Sequence, residues 1–126
     1  MRDPKKAGQV IRAARKAADE AGIKQVSAKM RLGPSASNHT YIEVAKEAED
    51  AGADWVTMHA RDIAQGYTGE ADWSHIANLV RKSSLPVIGN GDLRDGADVV
   101  RMKEETDCAG FFIARAAMRD PTIFQR

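Results

Sequence analysis

Apolar residues at the start of the chain recur with a helical period. Val10, Ile11, Ala14, Ala17, Ala18 and Ala21 form one stripe, with the three-to-four-residue spacing that lays a face along an α-helix. Asp3-Pro4 supplies its start, a side-chain cap followed by proline at the first helical position. Gly22 supplies its stop. Gln25–Arg31 (QVSAKMR) then reads as a strand, broken by Gly33-Pro34-Ser35. A second helix is predicted over about 40–51, with Ile42, Val44, Ala45 and Ala48 on or near one side and Gly52 as its stop. Trp55–His59 (WVTMH) is the next strand. After a long loop at 60–71, Asp72 is placed to cap a helix carrying Ile76, Leu79 and Val80. In LPVIGNGD (85–92) a proline opens a short apolar run that stops at Gly89-Asn90-Gly91-Asp92. A helix from Asp95 to Glu105, a strand Gly110–Ile113 (GFFI) and a helical turn at Asp120-Pro121 complete the pattern.

A strand thus recurs four times, each after an amphipathic helix, and two of the joins look alike, EDAGADWVTMHAR and EETDCAGFFIAR. Strands separated by single helices run parallel, because each return of the chain uses up the helix. The prediction is an α/β fold with right-handed crossovers. With 126 residues and no linker or low-complexity tract, the chain forms one unit with a modest core. Contents of 43% apolar and 29% charged residues are those of an ordinary globular protein. No apolar run approaches the roughly 20 residues of a membrane helix, and MRDPKKAG lacks the apolar core of a signal peptide. A single cysteine excludes an internal disulfide and fits a reducing, cytosolic setting. The net charge of +1 makes no overall electrostatic case for nucleic-acid binding. Seven of the basic residues fall in the first 24 positions against three acidic ones, leaving twelve basic and fifteen acidic residues beyond. Such a helix is ordinarily a solvated face.

Each strand ends in polar groups: Lys29 with Arg31, His59 with Arg61, Asn90 with Asp92, and Arg115. In a parallel sheet all C-terminal strand ends share one edge, where α/β folds bind ligands. Wet strand ends are commonly polar, but Lys, His, Asn and Arg at four successive ends point to a site. Phosphate is the first candidate ligand, because the GNGD turn exposes backbone N–H groups and Arg115 offers a two-toothed fork. A dinucleotide fingerprint is excluded, since Arg94 stands where the third glycine of G-x-G-x-x-G belongs. A phosphate held between two consecutive βα loops matches the last units of a (β/α)8 barrel. Lys29 either donates to a ring or an anion inside the site or snorkels to water. His59 is either a donor to a ligand or a satisfied core histidine. His39 and His75 fall outside the strand-end pattern and read as surface residues. No spacing of His, Cys and carboxylates suggests a metal site.

AKMRLG (28–33), MHARDIAQGYTGEADW (58–73), LPVIGNGD (85–92) and FFIARAAMRDPTIF (111–124), in this order, resemble tRNA-dihydrouridine synthases, flavin enzymes on a (β/α)8 TIM barrel. The resemblance covers essentially the whole chain. It implies that residues 1–126 are the last four βα units, a half-barrel with no second domain, and that FMN is the cofactor and NADPH its reductant. Lys29 and His59 match flavin contacts. Asn90, Gly91 and Asp92, with Ala114 and Arg115, match the groups that hold the phosphate end, and Arg61 matches an arginine near the tRNA substrate. The segment from Tyr67 to Trp73 is expected to be structural. The resemblance also implies that the family's catalytic cysteine lies in a motif outside this chain, as does the helical domain that grips tRNA. Cys108 precedes the last strand and is expected to be an ordinary semi-buried thiol on the opposite edge. Ala60, Ala114 and Ala116 stand where the family often has glycine. Four strands alone leave open edges and an uncovered face, so self-association or dependence on further barrel units is expected. Alternatives are another phosphate-binding flavin barrel acting on a small molecule, or an inert, self-associating half-barrel with a vestigial anion site.

Overall fold

The computed structural model describes residues 2–125. Its elements alternate as α1 (Pro4–Glu20), β1 (Ser27–Arg31), α2 (Tyr41–Asp50), β2 (Trp55–His59), α3 (Ser74–Lys82), β3 (Val87–Asn90), α4 (Gly96–Thr106) and β4 (Gly110–Phe112). Two short pieces follow, α5 (Arg115–Arg119) and a 3-10 turn (Pro121–Gln125). The four strands form one parallel sheet in the order β1-β2-β3-β4. Helices α1 and α4 start at side-chain caps. Asp3 accepts from the N–H of Lys6, and Asp95 from that of Asp98, satisfying donors that have no partner inside the helix. Asp72 stands one residue before the assigned cap of α3, yet its carboxylate still takes the Ser74 N–H and hydroxyl.

The strand register sorts side chains into two faces. Met30, Met58, Gly89 and Phe111 align on one, above Ala28, Val56 and Val87. This face meets the helices, and Val56, Met58, Ile76, Leu79 and Met102 are fully buried there. The other face carries Lys29, Thr57, Ile88 and Gly110 in one row and Arg31, His59, Asn90 and Phe112 in the next. It is the less covered face: Ser27, Lys29 and Phe112 are exposed and Ile88 is half-buried. The second row lies at the C-terminal strand ends, so parallel topology alone gathers four polar or aromatic side chains into one line.

Several expectations shift. The strand at 25–31 starts only at Ser27, and the one at 110–113 ends at Phe112, because Arg115 already belongs to a helix that the apolar pattern does not announce. Cys108 is fully buried rather than half-buried, with its thiol toward the Gly110 carbonyl at 3.3 Å. His39 and His75 are half-buried, their rings 4.8 Å apart, and His75 Nδ1 meets the Tyr41 hydroxyl at 3.0 Å. They brace the starts of α2 and α3. Among the described residues no helix is long and apolar enough to cross a membrane.

Gly89 is explained by packing. A Cβ built there would lie 2.4 Å from the sulfur of Met102 and 3.1 Å from that of Cys108. The missing side chain lets α4 close on β3. Gly89→Ala is expected to lose about 1–3 kcal/mol by overpacking, measured as a shift in the urea unfolding midpoint. Gly89→Ala/Met102→Ala should lose less than the sum of its single variants.

Candidate functional site

The second row of the uncovered face forms the floor of a cleft of about 330 Å³, at the lower end of the range for small-molecule pockets. Lys29 and Asn90 are two strands apart, yet Lys29 Nζ donates to Asn90 Oδ1 at 3.2 Å, reaching across β2. The orientation of the amide follows from its other partner. The Phe112 carbonyl can only accept, so it takes the Asn90 Nδ2 donor, at 2.7 Å. The Lys29 ammonium also lies 5.3 Å from the centroid of the Phe112 ring. Burial, and then the nearby Arg31, lower its pKa.

His59 is buried beside Lys29. Burial comes first, then the charges of Arg31, Lys29 and Arg61, in pushing its pKa down to about 4; Asp92 offsets part of this. The ring is therefore neutral at pH 7. Arg61 Nη1 lies 3.3 Å from His59 Nε2. A guanidinium only donates, so Nε2 accepts and the ring proton resides on Nδ1.

Arg61, expected near the substrate, is 2% exposed. Its Nη2 donates to both Asp92 carboxylate oxygens at 2.9 Å and to the Gly69 carbonyl at 2.7 Å. Asp92 also takes the Ala71 N–H at 2.8 Å and Arg115 Nη2 at 3.3 Å. Burial alone would raise the Asp92 pKa, but the Ala71 N–H and the Arg61 guanidinium outweigh it and hold the carboxyl below its usual range. Asp92 has φ 55°, a left-handed conformation that an aspartate occupies at some cost. Its four polar contacts offset that cost. Gly91, with φ 124°, has its α-carbon against the protein: a Cβ there would lie 2.7 Å from Ala71 Cβ and 3.2 Å from the His59 ring. Its lack of a side chain serves the fit between turn and loop, where the sequence had pointed to anion approach. The Gly91 carbonyl accepts from Trp73 Nε1 at 2.9 Å.

The loop at 60–73 is thus an ordered strap around Arg61. Asp62 Oδ1 accepts from the Gln65 N–H, Arg31 donates to the Asp62 and Gly66 carbonyls, and the Ala60 N–H donates to the Asn90 carbonyl. At its tip Tyr67 is 65% exposed, with the guanidiniums of Arg31 and Arg115 at 5.4 and 4.9 Å from its ring. Tyr67 was expected to be structural, and its sequence context carries no signal for this rim position.

The family model described as dihydrouridine synthase matches residues 1–126. The chain belongs to that family. The probable tRNA-dihydrouridine synthase of Mycobacterium leprae is 39% identical over 118 residues, covering 93% of this chain and 30% of the relative. The Treponema pallidum protein of the same name is 40% identical over 131 residues, covering 99% and 38%. The tRNA-dihydrouridine(16) synthase of Haemophilus ducreyi is 35% identical over 126 residues, covering 98% and 37%. The chain therefore spans between 30% and 38% of the length of these synthases.

Set against the synthase family, the cleft brings together Lys29, His59, Asn90 and Gly91 from the strand ends, and Asp92, Ala114 and Arg115 from the turns beyond. Two further lining residues, Arg94 and Arg119, had no assigned role in the sequence. Among the described residues only Asp92 and Asp107 are non-glycines with positive φ. Ala60, Ala114 and Ala116, where the resemblance led us to expect glycine, therefore carry their methyl groups without left-handed strain.

Two outcomes follow from this geometry. Between the ordinary histidine pKa of about 6.5 and the folded value of about 4, the unfolded chain binds a proton that folded His59 refuses. Stability should therefore fall as the pH drops through that window. His59→Asn should flatten this part of the profile, read from urea midpoints at several pH values. Arg61→Ala removes one partner of a buried pair and should cost about 3–5 kcal/mol. Arg61→Lys should recover only part of the loss, because an ammonium lacks the fork; equilibrium unfolding measures both.

Proposed function

We propose that this chain is the flavin-phosphate side of a tRNA-dihydrouridine synthase, its four βα units standing as consecutive units of a (β/α)8 barrel. The observation that carries the reading is the donor set of the cleft. Lys29 and Arg115 line it beside the Asn90-Gly91 turn, and the one carboxylate among the described lining residues, Asp92, is already engaged by Arg61. Such a set fits a phosphate. The consecutive parallel strand order and the exposed sheet face support the barrel reading.

In this reading the strand ends and the turns beyond them would hold FMN. Arg115, half exposed and oriented by Asp92, holds the phosphate with the turn of Asn90 and Gly91 and the backbone at Ala114. Lys29 and neutral His59 would contact the ring system, Lys29 as a hydrogen-bond donor and His59 with its proton on Nδ1. The chemistry FMN supplies is hydride transfer to a uracil ring in tRNA, with NADPH as its reductant. Arg61 acts as a positioning residue, because its guanidinium is spent on Asp92, His59 and the strap. Cys108 is buried against α4 and serves no substrate. The catalytic cysteine belongs to the part of the synthase beyond this chain, so uridine reduction requires more than these 126 residues.

An FMN fluorescence titration of the chain tests this reading. Saturable quenching is expected, and Arg115→Ala should weaken it roughly 10- to 100-fold, the loss of a charge-assisted pair at about 1.5–3 kcal/mol. A folded chain that leaves FMN fluorescence unchanged, or binding indifferent to Arg115→Ala, would overturn the assignment.

A further inference from the structure

The cleft holds more positive charge than one flavin phosphate neutralises. Among the described residues five basic side chains line it, Lys29, Arg61, Arg94, Arg115 and Arg119, against Asp92 alone. The formal surplus is +4, whereas a phosphate monoester brings about −1.5 to −2 at pH 7. About two positive charges therefore remain unmatched. Arg61 is held by Asp92 at 2.9 Å and Arg115 leans on the same carboxylate at 3.3 Å. Among the described residues no carboxylate lies within ion-pair distance of the Arg94 or Arg119 guanidinium.

These two arginines stand apart from the floor of the cleft. Lys29 and Asn90 sit on the sheet face; Arg94 follows the turn after β3, Arg119 ends α5, and both are exposed. Arg94 also borders a second hollow, lined by the carboxylates of Glu70, Asp72, Asp92 and Glu105 and by Arg101. Of these carboxylates only Asp92 also lines the cleft. The start of α4, which a pyrophosphate would otherwise use, is already taken: the Asp98 N–H donates to Asp95 and the Arg94 N–H to Asp98. Two separate, unpaired guanidiniums on different elements suit the separate phosphates of a chain rather than one compact anion.

We propose that Arg94 and Arg119 bind the phosphodiester backbone of the RNA substrate at the outer end of the cleft, an inference that rests on the flavin-site reading above. It gives local force to a protein whose net charge of +1 makes no overall case for RNA. The positive charge is concentrated at the rim rather than spread over the surface.

The test is fluorescence anisotropy of an unmodified tRNA transcript titrated with the full chain at several salt concentrations, comparing Arg94→Gln/Arg119→Gln with the unsubstituted chain. The double variant should bind the transcript roughly five- to twentyfold more weakly, with a log K–log salt slope shallower by about 1.5–2. FMN affinity, measured in parallel, should stay within about twofold. An unchanged slope, or no transcript binding by the unsubstituted chain, overturns the inference. Equal losses of FMN affinity would transfer the arginines to the flavin phosphate, and selective loss of NADPH binding would transfer them to the dinucleotide; either result also overturns it. The FMN titration of the unsubstituted chain reports separately on the flavin reading.

Discussion

The buried pair between Arg61 and Asp92 is the constraint on which the rim depends. Arg61 leaves the end of β2 and Asp92 leaves the end of β3, and their side chains are 2% and 12% exposed. A buried charge is costly unless paired and fully hydrogen-bonded. Here the demand is met on both sides. The guanidinium is shared among Asp92, the Thr68 and Gly69 carbonyls and the His59 ring. The carboxylate is shared among Arg61, the Ala71 N–H and Arg115. One pair therefore closes the strap at 60–73, orders the turn after β3 and aims a residue from beyond β4.

The same pair sets the electrostatics of the cleft. Asp92 is the only acid among the described lining residues; Arg61 and Arg115 pair with it at 2.9 and 3.3 Å, and Arg94 adds to the positive field around it. What faces an incoming ligand is the remainder, a cationic rim with a neutral histidine at its floor. His59 stays neutral because it is buried and surrounded by Arg31, Lys29 and Arg61. Its tautomer is set by a donor that never accepts. Membership of the dihydrouridine synthase family gives these features a context, while the features themselves arise from burial and hydrogen bonding in this chain.

The glycines of the GNGD turn meet a packing demand in addition to the anion approach read from the sequence. In LPVIGNGD both glycines are answered from within the protein. Gly89 makes room for Met102 and Cys108 under α4, and Gly91 for Ala71 and His59 at the strap. Tyr67 shows a displacement of function. It sits in the middle of a structural strap, yet its ring is exposed between two guanidiniums.

The sequence by itself determined the alternation of helix and strand, because the apolar period differs between the two and single-helix crossovers force parallel strands. It also determined that Lys29, His59, Asn90 and Arg115 share one edge, since parallel strands put their C-terminal ends together. The cap at Asp3 was legible as well, being a local hydrogen bond between near neighbours. What only the tertiary structure decided were contacts between residues far apart in the chain. That Arg61 points inward to Asp92, that Lys29 crosses β2 to reach Asn90, and that His39 and His75 are half-buried all depend on side-chain direction and on what lies opposite. The unpaired state of Arg94 and Arg119 is of the same kind, because an arginine in a sequence does not reveal whether a carboxylate stands within its reach.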